Sequence, residues 1–371
     1  MLADSPSVTS VTSTPSPRPV ETLPKAHLHL HFTGSMRPST LLDLAASHGV
    51  RLPGALSGQQ MLTLSPDERG WFRFQRLYDA ARACVRTADD MRRIVVEAAA
   101  DDAAEGSRWL ELQVDPTSYA VHVGGISPAL EIVLDAAREA TALTGTAVAV
   151  VVAASRTRHP LDARALARLA AHHAGDGPGT VVGFGLSNDE RRGDTADFAG
   201  AFDIARRAGL ACVPHSGELL GPAHVEETLA TLHPDRLGHG VRSSEDPAVL
   251  DRLVRAGVAL EVCPASNVSL GVYPELAQVP LRRLVDAGAT VALGADDPLL
   301  FGPRLAAQYT SAREDHGFDD LELAALAKAS ISASRAPATT RRELHAGVDD
   351  WLAGVPTGAG PRPSGVIDSM I

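Results

Sequence analysis

The sequence has few cysteines and few aromatic side chains. It contains three cysteines, Cys84, Cys212 and Cys263, among 371 residues, and aromatic residues make up 4% of the chain. Because the cysteines are odd in number and form no CxxC pair, they predict neither a disulfide framework nor a thiolate zinc site. We interpret them as buried thiols in a reducing compartment, and the cytoplasm is the expected location.

An excess of basic charge and a long apolar run are also lacking. The 34 Lys and Arg residues face 45 Asp and Glu residues, which gives a formal net charge of −11. This balance argues against nucleic acid or an anionic membrane as a partner. No stretch is apolar over the length that a bilayer requires, and the first residues lack the pattern of a secretory signal.

Composition divides the chain into a long central region and two polar ends. Residues 1–20 are rich in Ser, Thr and Pro, and they predict a disordered tail. Residues 354–371 predict a second, loose tail. Residues 21–353 have the composition of an ordinary globular protein and predict one domain.

The central region alternates short apolar, β-branched runs with Ala-rich amphipathic stretches. The predicted strands span residues 27–32, 109–115, 147–154, 180–187, 210–217, 235–241, 259–266 and 290–297. From the second onward they recur at roughly the spacing of a strand, a crossover helix and two loops. The pattern predicts an α/β fold, a closed (β/α)8 TIM barrel, with an open doubly wound sheet as the alternative.

The segment between the first two predicted strands, residues 33–107, is too long for a loop. It contains a strongly helical stretch over residues 72–105. We therefore predict a helical insertion between strand 1 and strand 2 that covers the barrel mouth, where active-site lids lie.

Polar residues interrupt the apolar runs at the carboxyl ends of the predicted strands, which form the catalytic face of a barrel. They are His29 and His31 in the first strand, His215 and His239 at the ends of the fifth and sixth, and Asp296 and Asp297 at the end of the eighth. Three imidazoles and a carboxylate without a thiolate suit a zinc ion with one position left for water. Such an ion lowers the pKa of water toward about 7, and the nearby Glu218 is a candidate general acid and base.

Six motifs follow one another over residues 23–350. They read LPKAHLHLHFTG, SNDE after the fourth strand, HSGE, RLGHG, EVCPASN and LGADDPLLF. Together they resemble the adenosine deaminase family of metal-dependent hydrolases. The resemblance implies a zinc-dependent aminohydrolase of purine salvage that converts adenosine and 2′-deoxyadenosine to the inosine product and ammonia. A purine nucleoside is thus the expected partner, and the oligomeric state stays open.

The resemblance also implies a role for each site residue. The zinc ligands, for one ion per chain, would be His29, His31, His215 and Asp296. Glu218 would protonate the purine N1, His239 would orient and help deprotonate the attacking water, and Asp297 would hydrogen-bond N7. The expected substrate-binding residues are His31, Thr33, Asn188 and Asp297.

Three positions depart from the family pattern. Asn188 stands where the family usually has a glycine whose backbone N–H meets the purine N3. Thr33 replaces an aspartate that contacts the ribose 5′-hydroxyl, so a neutral or apolar 5′ substituent is expected to be accepted. Gln113 replaces an arginine in the second strand. All residues with an expected catalytic role are therefore present, whereas some of those expected to contact the substrate differ from the family pattern.

The sequence leaves alternatives open. A deaminase of a 5′-modified adenosine, such as methylthioadenosine or aminodeoxyfutalosine, shares the chemistry and is favoured by Thr33. A binuclear amidohydrolase would need a bridging lysine or carboxylate at the end of the fourth strand. This strand ends FGLSN, without a lysine, so a single metal ion is expected. A non-catalytic binding relative would usually have a broken catalytic set. A cytidine-deaminase site is excluded, because no second cysteine follows Cys263 in the PCxxC spacing.

Overall fold

The computed structural model describes residues 17–57 and 62–354. Most of the two predicted tails, residues 1–16 and 355–371, therefore lies outside the described residues. Residues 17–20 of the predicted first tail are described, and there the Arg18 guanidinium contacts the Asp320 carboxylate at 3.0 Å and Val20 is buried.

Eight parallel strands surround the core. They are β1 Lys25–His31, β2 Ser107–Val114, β3 Ala147–Ser155, β4 Val181–Ser187, β5 Ala211–Ser216, β6 Arg236–His239, β7 Ala259–Val262 and β8 Val291–Leu293. Each strand pairs with the next in chain order, and a bridge between Leu30 and Asp296 joins the first strand to the segment that follows the last. The predicted (β/α)8 barrel is confirmed, and the open doubly wound alternative was wrong.

Helices connect the strands and form the outer layer. The α-helices of the described residues are α1 Pro38–Ser47, α2 Gly54–Ser57, α3 Glu68–Arg82, α4 Ala88–Ala104, α5 Ala120–Val123, α6 Ile126–Thr144, α7 Pro160–His172, α8 Ala199–Arg207, α9 Pro222–Leu232, α10 Pro247–Ala256, α11 Pro264–Ser269, α12 Leu281–Asp286, α13 Pro298–Phe301, α14 Leu305–Glu314, α15 Asp320–Ala333 and α16 Ala338–Ala353. Short 3-10 helices span Val20–Thr22, Pro116–Ser118, Thr195–Phe198, Val241–Glu245 and Leu276–Gln278. None of the helices in this part of the chain combines the length and the apolar character of a bilayer span.

Four of these helices, α1 to α4, lie between β1 and β2. The longest, α4, begins with a capping box between Thr87 and Asp90 and packs against α6 and β2. Helix α3 begins at the N-cap Asp67, whose carboxylate accepts two backbone N–H groups. Its residues Trp71 and Tyr78 line the cavity at the carboxyl ends of the strands.

Both faces of the sheet are buried, which explains the apolar runs in the sequence. In β3, Val150 and Val152 belong to the hydrophobic core between the sheet and the helices. Ala149 and Val151 belong to a second hydrophobic core, which includes residues of the barrel interior. Because successive side chains of a strand point to opposite faces, His29 and His31 of β1 share one face. That face is the barrel interior, where the site lies.

Candidate active site

A cavity of about 300 Å³ opens at the carboxyl ends of the strands, at the lower end of the range of about 300–1,000 Å³ that is usual for small-molecule sites. The predicted site residues that line it are His31, Asn188, His215, Glu218, His239, Asp296 and Asp297. His29 is fully buried beneath this surface. Eight of the predicted residues thus meet at one place, and Thr33 lies behind the cavity wall.

The four predicted metal ligands converge on one another. Asp296 Oδ1 lies 3.2 Å from His31 Nε2 and 3.5 Å from His29 Nε2, and His215 Nε2 lies 3.3 Å from His31 Nε2. Two ligands of a tetrahedral zinc ion, each at about 2.0–2.1 Å, lie about 3.4 Å apart. His29 Nε2 is buried and has no hydrogen-bond partner among the described residues. These three pairs of donor atoms therefore have about the spacing of two ligands on one zinc ion.

A buried carboxylate orients His29. Its Nδ1–H donates to Glu261 Oε2 at 2.8 Å, which leaves the Nε2 lone pair directed at the other donors, as is common for metal-binding histidines. Burial opposes ionisation of Glu261, but the Arg236 guanidinium and His29 outweigh it and hold its pKa below the usual range. Arg236 donates to Glu261 at 2.6 Å and also pairs with Glu111.

Asp296 is held in an ionised state. Burial alone would raise its pKa, yet its contacts with His29 and His31 hold that pKa well below the usual range. The Ser266 hydroxyl donates to its second oxygen, Oδ2. Oδ1 is thus left for the histidine cluster.

Two further carboxyl groups face the cavity, and their oxygens Glu218 Oε1 and Asp297 Oδ1 have no hydrogen-bond partner in the part of the chain that the structure describes. Burial, reinforced by the negative charge of Asp296, raises the pKa of both groups well above the usual range. His239 Nε2 lies 3.5 Å from Glu218 Oε1, and mainly burial lowers the pKa of His239 to about 3. The site therefore combines two carboxyl groups that favour the protonated form with a neutral imidazole.

Glu190, which is not among the predicted site residues, fixes the loop that carries Glu218. Its carboxylate accepts the backbone N–H groups of Glu218 at 3.1 Å, Leu219 at 2.9 Å and Leu220 at 2.7 Å. The side chain is fully buried. The SNDE motif after β4 thus positions the HSGE motif after β5.

We expect Glu190→Gln to lower kcat for the deamination reaction roughly 10- to 100-fold, because the amide nitrogen cannot accept the N–H groups that the lost oxygen held. The KM should change less than the kcat, since Glu190 does not line the cavity. Steady-state kinetics check this, with Asp189→Asn as the neighbouring control. An unchanged kcat in Glu190→Gln would show that Glu190 does not position Glu218 for catalysis.

Three site residues have left-handed backbone conformations. The φ angles are +82° at Asn188, +65° at His239 and +61° at Asp296. Such angles are uncommon outside glycine and concentrate at functional sites. Asn188 tolerates a position where the family pattern has glycine, because Asn adopts this conformation more readily than most residues. Its Oδ1 accepts the next backbone N–H, that of Asp189, at 2.8 Å.

Two glycines permit close approaches that the sequence did not reveal. A Cβ atom at Gly34 would lie 1.8 Å from Asp297 Oδ1, so only glycine leaves room for that carboxyl group. A Cβ atom at Gly238 would lie 3.0 Å from both His215 Nδ1 and His29 Cε1. The glycines of HFTG and GHG therefore shape the site rather than only its turns.

Thr33, an expected substrate-binding residue, is buried against another side chain rather than exposed to the cavity. Its hydroxyl lies 2.5 Å from the Tyr119 hydroxyl, and the residue is 1% exposed. Tyr78 and Tyr119 line the cavity in this region. The hydroxyl that replaces the family's aspartate is therefore bonded within the protein.

Comparisons with known proteins agree with this geometry. A family model described as adenosine deaminase matches residues 24–351. A Streptomyces coelicolor protein named putative adenosine/adenine deaminase is 61% identical over 340 residues, covering 90% of this chain and 98% of that protein. An adenine deaminase of Rhizobium leguminosarum is 35% identical, covering 87% of this chain and 98% of that protein. The crystal structure of an adenine deaminase from Arthrobacter aurescens has a TM-score of 0.80 and 29% identity, covering 89% of this chain and 99% of that one. The resemblance carried by the six motifs is confirmed: this chain belongs to the adenosine deaminase family and is an aminohydrolase.

Proposed function

We propose that this enzyme hydrolytically deaminates a 6-aminopurine with the help of one zinc ion. The observation that carries the proposal is the convergence of the donor cluster with two protonatable carboxyl groups at one end of the barrel. The donors are His29, His31, His215 and Asp296, and the carboxyl groups are those of Glu218 and Asp297.

The residues present fit zinc. Three imidazoles and a carboxylate without a thiolate form a catalytic zinc site of the open type, and their spacing supports a single ion. When bound, zinc would supply a Lewis acid that lowers the pKa of a coordinated water. The unpartnered Nε2 of His29 supports the same conclusion, because a buried nitrogen without a hydrogen-bond partner is costly.

The chain's own residues account for the proton transfers. Glu218, whose pKa burial raises well above the usual range, would donate a proton to the purine N1 near neutral pH, which makes C6 more electrophilic. His239 is neutral at that pH and would accept a proton from the attacking water. Asp297, whose pKa is also raised by burial, would donate a hydrogen bond to N7. The new C6–O bond forms, and the 6-amino group would take the proton that His239 received from the water, so that the C6–N bond breaks and ammonia leaves. The proton of the C6 hydroxyl would pass to Glu218, which restores its starting form.

Among the 6-aminopurines we propose adenine, which would give hypoxanthine and ammonia. The Thr33 hydroxyl is bonded to Tyr119, so the contact that the family makes with a 5′-hydroxyl is not offered here. The names of the R. leguminosarum and A. aurescens relatives support the same substrate.

Adenosine, which the resemblance predicts together with 2′-deoxyadenosine, is the second candidate. The cavity continues from the donor cluster to the charged residues Asp79, Arg82 and Arg158. This outer part favours adenosine, because it offers a ribose both space and polar partners.

A substrate panel tests the proposal. Ammonia release is measured from adenine, adenosine, 2′-deoxyadenosine, AMP and adenosines with neutral 5′ substituents, using zinc-loaded enzyme. We expect the highest kcat/KM with adenine and a metal content of one zinc per chain. If a nucleoside gave a higher kcat/KM than adenine, that nucleoside and not adenine would be the preferred substrate. Release from none of these compounds, or two metals per chain, would contradict the proposed function.

A further inference from the structure

Gln113 carries a buried amide without a partner. The residue lies near the carboxyl end of β2, is 1% exposed and lines the cavity. Neither its Oε1 nor its Nε2 has a hydrogen-bond partner among the described residues. Two glutamines are buried in the described part of the chain, and the other, Gln308, uses its amide to bind backbone groups of Ala265 and Pro303.

An unpaired buried amide is costly to a protein. Leaving a buried donor and a buried acceptor unsatisfied costs about 1–3 kcal/mol for each group, and native structures rarely retain such groups without a reason. Ligand binding is such a reason, since a ligand with a complementary donor and acceptor satisfies both atoms. The Gln113 amide offers one acceptor oxygen and two N–H donors, so its ligand must present a donor beside an acceptor.

The position of Gln113 shows which part of a purine would meet it. It pairs in register with His31 on one side and Val151 on the other, so it faces the interior beside the donor cluster. Glu218, which would contact N1, follows β5, and Asp297, which would contact N7, follows β8. With C6 at the donor cluster, the edge that carries N3 and N9 is turned away from these two residues, toward β2 to β4.

The geometry points to Gln113 as a specificity-determining residue that reads the N3/N9 edge of a free purine base, an inference that rests on the proposed function. Gln113 Nε2 donates to N3, in place of the backbone N–H at position 188 that the family pattern uses there, and Oε1 accepts the N9–H. A nucleoside carries its sugar on N9 and has no N9–H, so it leaves the buried Oε1 unpaired. Gln113 thus selects the free base over its N9-substituted forms.

The discriminating variant is Gln113→Leu, which keeps a similar size and removes both polar atoms. Its kcat/KM is measured for adenine and for 9-methyladenine. We expect a fall of roughly 10- to 100-fold with adenine, as for the loss of one or two hydrogen bonds. With 9-methyladenine the change should be less than roughly 3-fold, because the lost bond to N3 is offset by removal of the Oε1 atom that this substrate leaves unpaired. The preference for adenine over 9-methyladenine that the wild-type enzyme shows should therefore be lost in the variant.

Thermal unfolding separates this role from a structural one. The Tm of Gln113→Leu should equal or exceed that of the wild type, because an unpaired buried amide has been removed. The matched control, Gln308→Leu, loses bonded partners and should lower the Tm without changing the preference for adenine over 9-methyladenine. Equal losses on both substrates, unchanged kinetics or a lowered Tm in Gln113→Leu would overturn the inference.

Calorimetric binding of purine and 9-methylpurine, which carry no amino group, tests Gln113 independently of turnover. Tighter binding of purine by the wild type, with the difference lost in Gln113→Leu, supports the inference. An equal affinity for the two compounds in the wild type overturns it. Failure of the proposed function is recognised separately, by the absence of ammonia release from every aminopurine.

Discussion

Glu218→Gln is expected to lower kcat roughly 10²- to 10⁴-fold, the usual range for loss of a general acid, while the enzyme keeps one zinc per chain. An amide cannot deliver the proton that N1 requires, so C6 would remain a poor electrophile. The substitution is nearly isosteric, and Glu218 Oε1 has no partner among the described residues. The fold and the donor cluster should therefore be little disturbed.

Steady-state ammonia release, zinc analysis and thermal unfolding of the same preparations measure this effect. Glu227→Gln is the matched control, because it makes the same chemical change at an exposed position of α9 and should leave kcat unaltered. If Glu218→Gln retained more than about a tenth of the wild-type kcat, a proton donor other than Glu218 would be required.

The second large effect is the loss of metal in Asp296→Ala. Asp296 Oδ1 lies within 3.5 Å of both His29 Nε2 and His31 Nε2, so its removal leaves three imidazoles and no anionic donor. We expect zinc content to fall from one per chain toward zero after dialysis, and deamination to become undetectable.

A thermal shift on zinc addition makes this test independent of turnover. A ligand at 100 times its Kd stabilises the folded state by about 2.7 kcal/mol, so zinc should raise the Tm of the chelator-treated wild type but not that of Asp296→Ala. Asp176→Ala, at an exposed position, should behave as the wild type does. A full zinc response in Asp296→Ala would show that the ion is held elsewhere.

The barrel was predictable because its strands are buried on both faces. Runs such as residues 147–154 are apolar throughout, and the structure places β3 at Ala147–Ser155. The converging residues were predictable for a related reason: His215, His239 and Asp296 interrupt apolar runs at strand ends, and a barrel brings all such ends to one face.

The residues that support the site were not predictable in the same way. Glu261 and His29 are 232 positions apart, and Thr33 and Tyr119 are 86 positions apart. Their contacts depend on the register of the strands, which apolar periodicity does not specify. The left-handed backbone of Asp296 likewise has no signature in residue type, since aspartate adopts it only where the surroundings impose it.

The most direct test of the central claim is anomalous diffraction at the zinc absorption edge from crystals of the zinc-loaded enzyme. We predict one peak per chain, at about 2.0–2.2 Å from the Nε2 atoms of His29, His31 and His215 and from a carboxylate oxygen of Asp296. A second strong peak in the barrel, or a single peak that these four side chains do not share, would contradict the account.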